Sequence, residues 1–322
     1  KLLSASERMV HPEDALKLCE QAVAIDPDYA QLHHRRGQLL QGMGRADEAL
    51  AAYDRTLELD PSLAQAHCNR GSVLASQGKP EEALAACDRA IRIDPDYPQA
   101  WLLRGEAFRA QGRLPEALEA FDRALAGNPD QAGVHVHRAG LLQALGRPEE
   151  ALKACDLALA LEPGLAGAQW ARGLLLKSLE RWDEAIPVFE AVVKEDPRHA
   201  GAWNALGETL QKKGKLVETL KAFDLAVGID PAFAEAHYNR GFFLQNQLRL
   251  DEALKAFARV LEIDPRHASA RFRTGVILER RERWQEAAEA YRKALALGIP
   301  EAVRKDCETR LAAVEKRLDG HP

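Results

Sequence analysis

His135 and His137, set in "HVHR", and five cysteines at 19, 68, 87, 155 and 307 are the residues of this 322-residue chain best suited to metal binding or nucleophilic chemistry. Neither set is spaced for that work. Histidines two apart on a helix do not share a face. Cys19, Cys87 and Cys155 recur every 68 residues, at a place occupied elsewhere by Phe121, Phe189, Phe223 and Phe257, so they read as small core fillers. At that separation they are also too far apart for a disulfide, which needs Cα atoms within about 7 Å. No HExxH, GxxxxGK[ST], GxSxG or CxxC occurs, and the expectation is a chain that is no enzyme and needs no metal or cofactor.

The arginines carry a stronger pattern. Arg36, Arg70, Arg104, Arg138, Arg172 and Arg240 each have an acid sixteen residues earlier: Glu20, Asp54, Asp88, Asp122, Asp156 and Asp224. Where Thr274 replaces the arginine, the acid becomes Ala258. This concerted loss predicts a ladder of buried ion pairs, each of which would cost about 3 kcal/mol to break from one side. Glu190 faces Leu206 instead. That missing rung, with Pro187 nearby, predicts a weak junction there.

These residues must be positioned by a repeating element. Gly37, Gly71, Gly105, Gly173, Gly207, Gly241 and Gly275 are separated by 34 residues or a multiple, with Ala139 in the one gap, and prolines from Pro27 to Pro265 keep the same phase. Apolar residues recur at helical spacing in two blocks per unit, so each unit predicts a helix pair. Glycine inside a helix costs about 1 kcal/mol against alanine; keeping it implies that another helix passes close. A 34-residue period of Gly, Ala, an aromatic and then Pro resembles the tetratricopeptide repeat. The resemblance implies an all-α, right-handed superhelical solenoid of antiparallel helix pairs. The expected organisation is a partial repeat over 1–29, with Leu3 at the glycine position, eight repeats over 30–301 and a capping helix and tail over 302–322.

Count each unit from Ala30, Ala64, Pro98, Ala132, Ala166, Ala200, Ala234 and Ala268. Positions 4, 8 and 11 of the first helix then face its partner, and positions 2, 5, 6, 9, 12 and 13 lie opposite. By the resemblance, the opposite side lines a concave groove. The candidate partner-binding residues there are Asn69, Trp170, Leu174, Asn204, Glu208, Tyr238, Asn239, Phe242, Phe272 and Arg273. Two of the four aromatic ones, Tyr238 and Phe242, fall in "HYNRGFFLQN" one helical turn apart, and aromatic anchors in a polar rim are the composition of recognition surfaces. The specialised subfamilies fit poorly. No unit pairs Lys or Arg at position 5 with Asn at position 9, as a chaperone-tail clamp requires, and only Asn69 and Asn239 supply position 6 of an asparagine ladder.

The expectation is therefore a non-catalytic scaffold that holds a peptide or partner protein in its groove. Two alternatives stay open: a targeting or regulatory region of a longer enzyme or secretion protein, and a self-assembling scaffold. A net charge of −5, from 44 basic and 49 acidic residues spread along the chain, gives no footprint for nucleic acid. No apolar run reaches the roughly 18 residues of a membrane span. Cys68 and Cys307 have no partner in the pattern, which favours a reducing, cytoplasmic compartment. A periplasmic one stays open because the chain begins with Lys1 rather than Met. Arginine outnumbers lysine 30 to 14, as expected of a GC-rich bacterial gene.

Overall fold

The computed structural model describes residues 11–320, so the N-terminal remnant around Leu3 lies outside the described residues. Among them the chain forms eighteen α-helices and no strand. It divides into two compact units, Lys1–Ala168 and Gln169–Pro322. The first contains α1 (Pro12–Ile25), α2 (Ala30–Gly42), α3 (Ala46–Leu59), α4 (Ala64–Ser76), α5 (Pro80–Ile93), α6 (Pro98–Ala110), α7 (Leu114–Gly127), α8 (Ala132–Ala144) and α9 (Pro148–Leu161). Helix α10 (Ala166–Ser178) spans the division. The second unit continues with α11 (Trp182–Glu195), α12 (Ala200–Lys212), α13 (Leu216–Ile229), α14 (Ala234–Asn246), α15 (Leu250–Ile263), α16 (Ala268–Arg280), α17 (Trp284–Leu297) and α18 (Glu301–Leu318). Even-numbered helices up to α16 are the first of each pair and odd-numbered ones the second.

The glycine at position 8 is where the two helices of a pair touch. A Cβ on Gly105 would lie 2.6 Å from the Phe121 ring, and one on Gly275 2.7 Å from the ring of Tyr291. Each of these rings is fully buried. In the second pair the ring is replaced by Cys87, and a Cβ on Gly71 would meet its sulfur at 3.3 Å. In the fourth, where the equivalent residue is Cys155, the glycine has become Ala139. The cysteines are thus core fillers. Burial pushes the thiols of Cys68 and Cys87 up to about 12, so both stay protonated at neutral pH.

Position 4 ties each first helix to the loop before it. The ring nitrogens of His33, His67, His135 and His237 lie 2.9 to 3.3 Å from the carbonyls of Pro27, Pro61, Pro129 and Pro231. The indole N–H groups of Trp101 and Trp203 donate to Pro95 and Pro197, and the Arg271 guanidinium donates to Pro265. Because a carbonyl only accepts, each histidine nitrogen in this bond carries the proton. Three different side chains share the position because all three offer an N–H at the same reach.

The arginine ladder forms, but it is not buried. Arg36, Arg70, Arg104, Arg138 and Arg240 lie 2.5 to 3.6 Å from Glu20, Asp54, Asp88, Asp122 and Asp224. The arginine side chains remain 22 to 30% exposed and the acids 43 to 50%. They sit at the edge of the helix interface, where a long side chain lays its stem on apolar surface and keeps its head wet. Leu206, at the place of the missing rung, is buried instead, so apolar contact takes over where the ion pair is lost. Helix α11 runs unbroken through Pro187, which faces solvent.

The turn between the helices of a pair needs a left-handed residue. Gly44, Gly78, Gly112, Gly146 and Gly214 supply it with φ of 71 to 74°, and Glu180, Leu248 and Glu282 adopt it at φ of 57 to 61° without being glycine. At the C-terminal end, α18 buries Cys307 and Val314 against Phe272, Val276 and Tyr291. Its Arg310 bonds Glu279, which also accepts from the Tyr291 hydroxyl at 2.5 Å.

Candidate functional site

The side of the first helices that faces away from their partners is a strip with its own register. Position 6 of one first helix reaches positions 5 and 9 of the helix before it, and position 12 reaches position 9 of the helix after it. In the first unit, the Asn69 amide donates to His34 Nε2 at 3.0 Å, and Gln41 donates to Ser72 at 3.3 Å. The Tyr53 hydroxyl closes this group by donating to Gln41 at 2.8 Å. Burial holds the His34 imidazole below its ordinary value, which keeps it neutral and able to accept.

In the second unit the same register joins four residues. Asn239 donates to Asn204 at 3.1 Å and to Glu208 at 2.6 Å, Asn204 donates to Glu208 at 3.3 Å, and Lys177 pairs with the other Glu208 oxygen. Three of these were expected on the strip from the sequence; Lys177 was missed. The interval of 31 residues from position 12 to position 9 is the signal that would have found it. Asn204 is 4% exposed, and its amide bonds within the strip rather than facing outward.

Position 5 sits deeper than helical geometry alone suggests, because it rests on the core residue nineteen positions on. The ring centroids of Trp170 and Phe189, Tyr238 and Phe257, and Phe272 and Tyr291 are 5.7 to 5.9 Å apart. Phe272 is consequently core, at 3% exposure. Helix α18 covers it, so it does not extend an open aromatic patch. Trp170 and Leu174 are half-buried, and Trp170 also packs on His199. Tyr238 is half-buried too, with its ring stacked on His267 at 5.1 Å.

The fourth aromatic residue carries a cation on its face. Phe242 is half-buried, and the Arg273 guanidinium lies 4.6 Å from its ring centre. Position 6 of this repeat carries a cation where its register partner at position 9 is a ring rather than an acid. Among the described residues Arg273 has no carboxylate partner. A guanidinium on a π face keeps its edge N–H groups free to bind an anion or a carbonyl. On the same helix as Phe242, Gln245 is 5% exposed and its side-chain oxygen accepts no hydrogen bond.

Among the described residues no cluster of three or more His, Cys, Asp and Glu could hold a metal ion, and no helix is long and apolar enough to cross a membrane. A family profile described as tetratricopeptide repeat matches residues 34–98, 94–132, 102–166, 171–234 and 244–302. The chain is similar to the crystal structure of a tetratricopeptide repeat protein from Parabacteroides merdae ATCC 43184, at 21% identity and a TM-score of 0.59, over 77% of this chain and 98% of that one. It is also similar to YrrB, described as a TPR protein with an unusual peptide-binding site, at 30% identity and a TM-score of 0.49, over 60% of this chain and 99% of that one. A truncated MamA from Desulfovibrio magneticus RS-1 matches at 24% identity and a TM-score of 0.51, over 53% of this chain and 97% of that one. The comparison with curated proteins gave no match.

Proposed function

Since this chain belongs to the tetratricopeptide repeat family, whose members generally mediate protein–protein interaction, we propose that it is a non-catalytic scaffold binding a peptide or partner protein along the strip of its first helices. The observation that carries this reading is the pairing of Phe242 with Arg273, whose guanidinium has no carboxylate partner among the described residues. Four polar groups of the second-unit strip, Lys177, Asn204, Glu208 and Asn239, satisfy one another. They make a firm floor; the ring, its guanidinium and the unpaired Gln245 oxygen are what is left to offer. Tyr238 borders them through its stack on His267. A partner segment with an apolar side chain and a carboxylate or backbone carbonyl would complete the site.

The test is affinity capture with the intact chain as bait, followed by titration of the recovered partner against a Phe242→Ala, Arg273→Ala variant. Truncating a partly buried anchor and its guanidinium should weaken binding at least about 30-fold, with a melting temperature close to that of the wild type. Phe272→Ala serves as the contrast, since emptying a core position should cost about 3 kcal/mol of stability. Full affinity in a folded double variant would rule out this site.

A further inference from the structure

In the first unit, one place on the strip lacks a side chain. Position 9 of the fourth repeat is Gly140, and a Cβ built there would meet nothing within 4 Å. The gap opens a cavity of about 410 Å³ lined by Arg109, Leu114, Val136, His137, Leu141 and Ala144. Its walls are aliphatic, with Arg109 and His137 as its polar lining. The register explains the arginine. Position 12 of one first helix meets position 9 of the next, as Gln41 meets Ser72 and Lys177 meets Glu208. Arg109 stands at position 12 and its counterpart is Gly140, which has nothing to offer. Among the described residues Arg109 therefore makes no ion pair or hydrogen bond. Glu106, one turn before Arg109 on the same helix, faces His137 at 4.0 Å instead.

We propose that the notch above Gly140 receives an aliphatic side chain of a bound peptide, while Arg109 holds the carboxylate of an adjacent acidic residue. The inference rests on the first-helix strip being the binding face, and it adds a second, chemically distinct subsite to it. The aliphatic walls select by burial. The solitary guanidinium selects by charge, because it is a planar fork of donors matched to a carboxylate and uncompensated by its neighbours. The strip continues on both sides of the notch, through Glu106 and Gln143, so the bound acid is taken to be a side chain within a peptide rather than a chain terminus.

The test is a methyl NMR titration of the intact chain with the blocked dipeptide N-acetyl-Leu-Asp-amide, and with its N-acetyl-Leu-Asn-amide counterpart. Saturable shifts are expected at the methyls of Val136, Leu141 and Leu114, and the Asn peptide should bind about fivefold more weakly. Gly140→Leu should abolish the shifts by filling the notch, and Arg109→Gln should erase the preference for Asp. Gly140 is exposed with open space above it, so a melting curve will report Gly140→Leu as folded, and Arg109→Gln tests the charge half independently. Absent saturation, unchanged binding to folded Gly140→Leu, or equal affinity for the two peptides would overturn the proposal. Shifts gathering around Phe242 instead would sink the notch and leave the binding face standing; shifts confined to second helices would sink both.

Discussion

Arg104 shows how far a single residue's role can depart from its sequence pattern. It lies 2.9 Å from Asp88, yet its Nε–H is not directed at the carboxylate and remains without a hydrogen-bond partner. Its guanidinium rests between the rings of Trp101 and Phe108, 5.2 and 4.9 Å from their centres. Spacing identified the ion pair but could not give its depth, because a side chain of arginine's length reaches an acid from an interface edge as easily as from its interior. With Asp88 43% exposed, Asp88→Ala should cost only about 0.5 kcal/mol. Arg104→Ala should cost more, about 1 to 2 kcal/mol, since it strips packing from two rings. Chemical denaturation of the two variants reads the difference; equal losses would restore the carboxylate as the dominant partner.

At the scale of the helix pair, the glycine at position 8 and the residue sixteen places on behave as one unit of volume. Phe121 leaves room only for a glycine, whereas Cys155 stands opposite Ala139. Gly71, opposite Cys87, is the mismatched case, with its nearest prospective contacts at 3.2 and 3.3 Å. Gly71→Ala should therefore be neutral or stabilising by up to about 1 kcal/mol from helix propensity. Gly105→Ala should destabilise by about 2 kcal/mol as its Cβ meets the ring. Thermal melts of both variants decide this, and equal destabilisation would refute the volume pairing. The helix pairs were legible because the 34-residue period, the glycines and the Asp-Pro stops each recur along the chain. The strip was only half legible. Helical angles placed positions 6, 9 and 12 away from the partner helix, but no angle reveals that neighbours bury some of them, as with Ala205, Val276 and Gln245, that position 5 rests on a core ring or that α18 covers Phe272. All of these depend on neighbouring elements, and so does the 31-residue register that recruits Lys177.

Over the whole molecule, stability should depend on pH through His67 and His237, two of the four histidines that serve as N–H donors at position 4. Burial, first, and neighbouring arginines hold His67 and His237 below the ordinary histidine value, although their bonds to Pro61 and Pro231 pull the other way. His67 is flanked by Arg70, Arg89 and Arg92, and His237 by Arg240, Arg259 and Asp230. Above pH 6.5 these rings are neutral folded or unfolded. As pH falls below that, the unfolded chain takes up protons first, so stability declines until the folded value is passed. Hydrogen exchange at about pH 7.5 and about pH 5.5 should show lost protection in the repeats beginning at Ala64 and Ala234. The repeats whose donors are Trp101 and Trp203 should change less, and an equal response in all four would remove histidine as the cause. The arginine ladder has a consequence of another kind. Each rung joins a second helix to the first helix of the following repeat, so a rung can form wherever the following copy carries the arginine, and is lost where that copy carries Leu206 or Thr274. A gene encoding this chain can gain or lose a block of 34 codons by unequal recombination and keep the sixteen-residue offset on which each rung depends, whereas an insertion within that interval would break the pairing at once; heredity can lengthen this molecule without redesigning it.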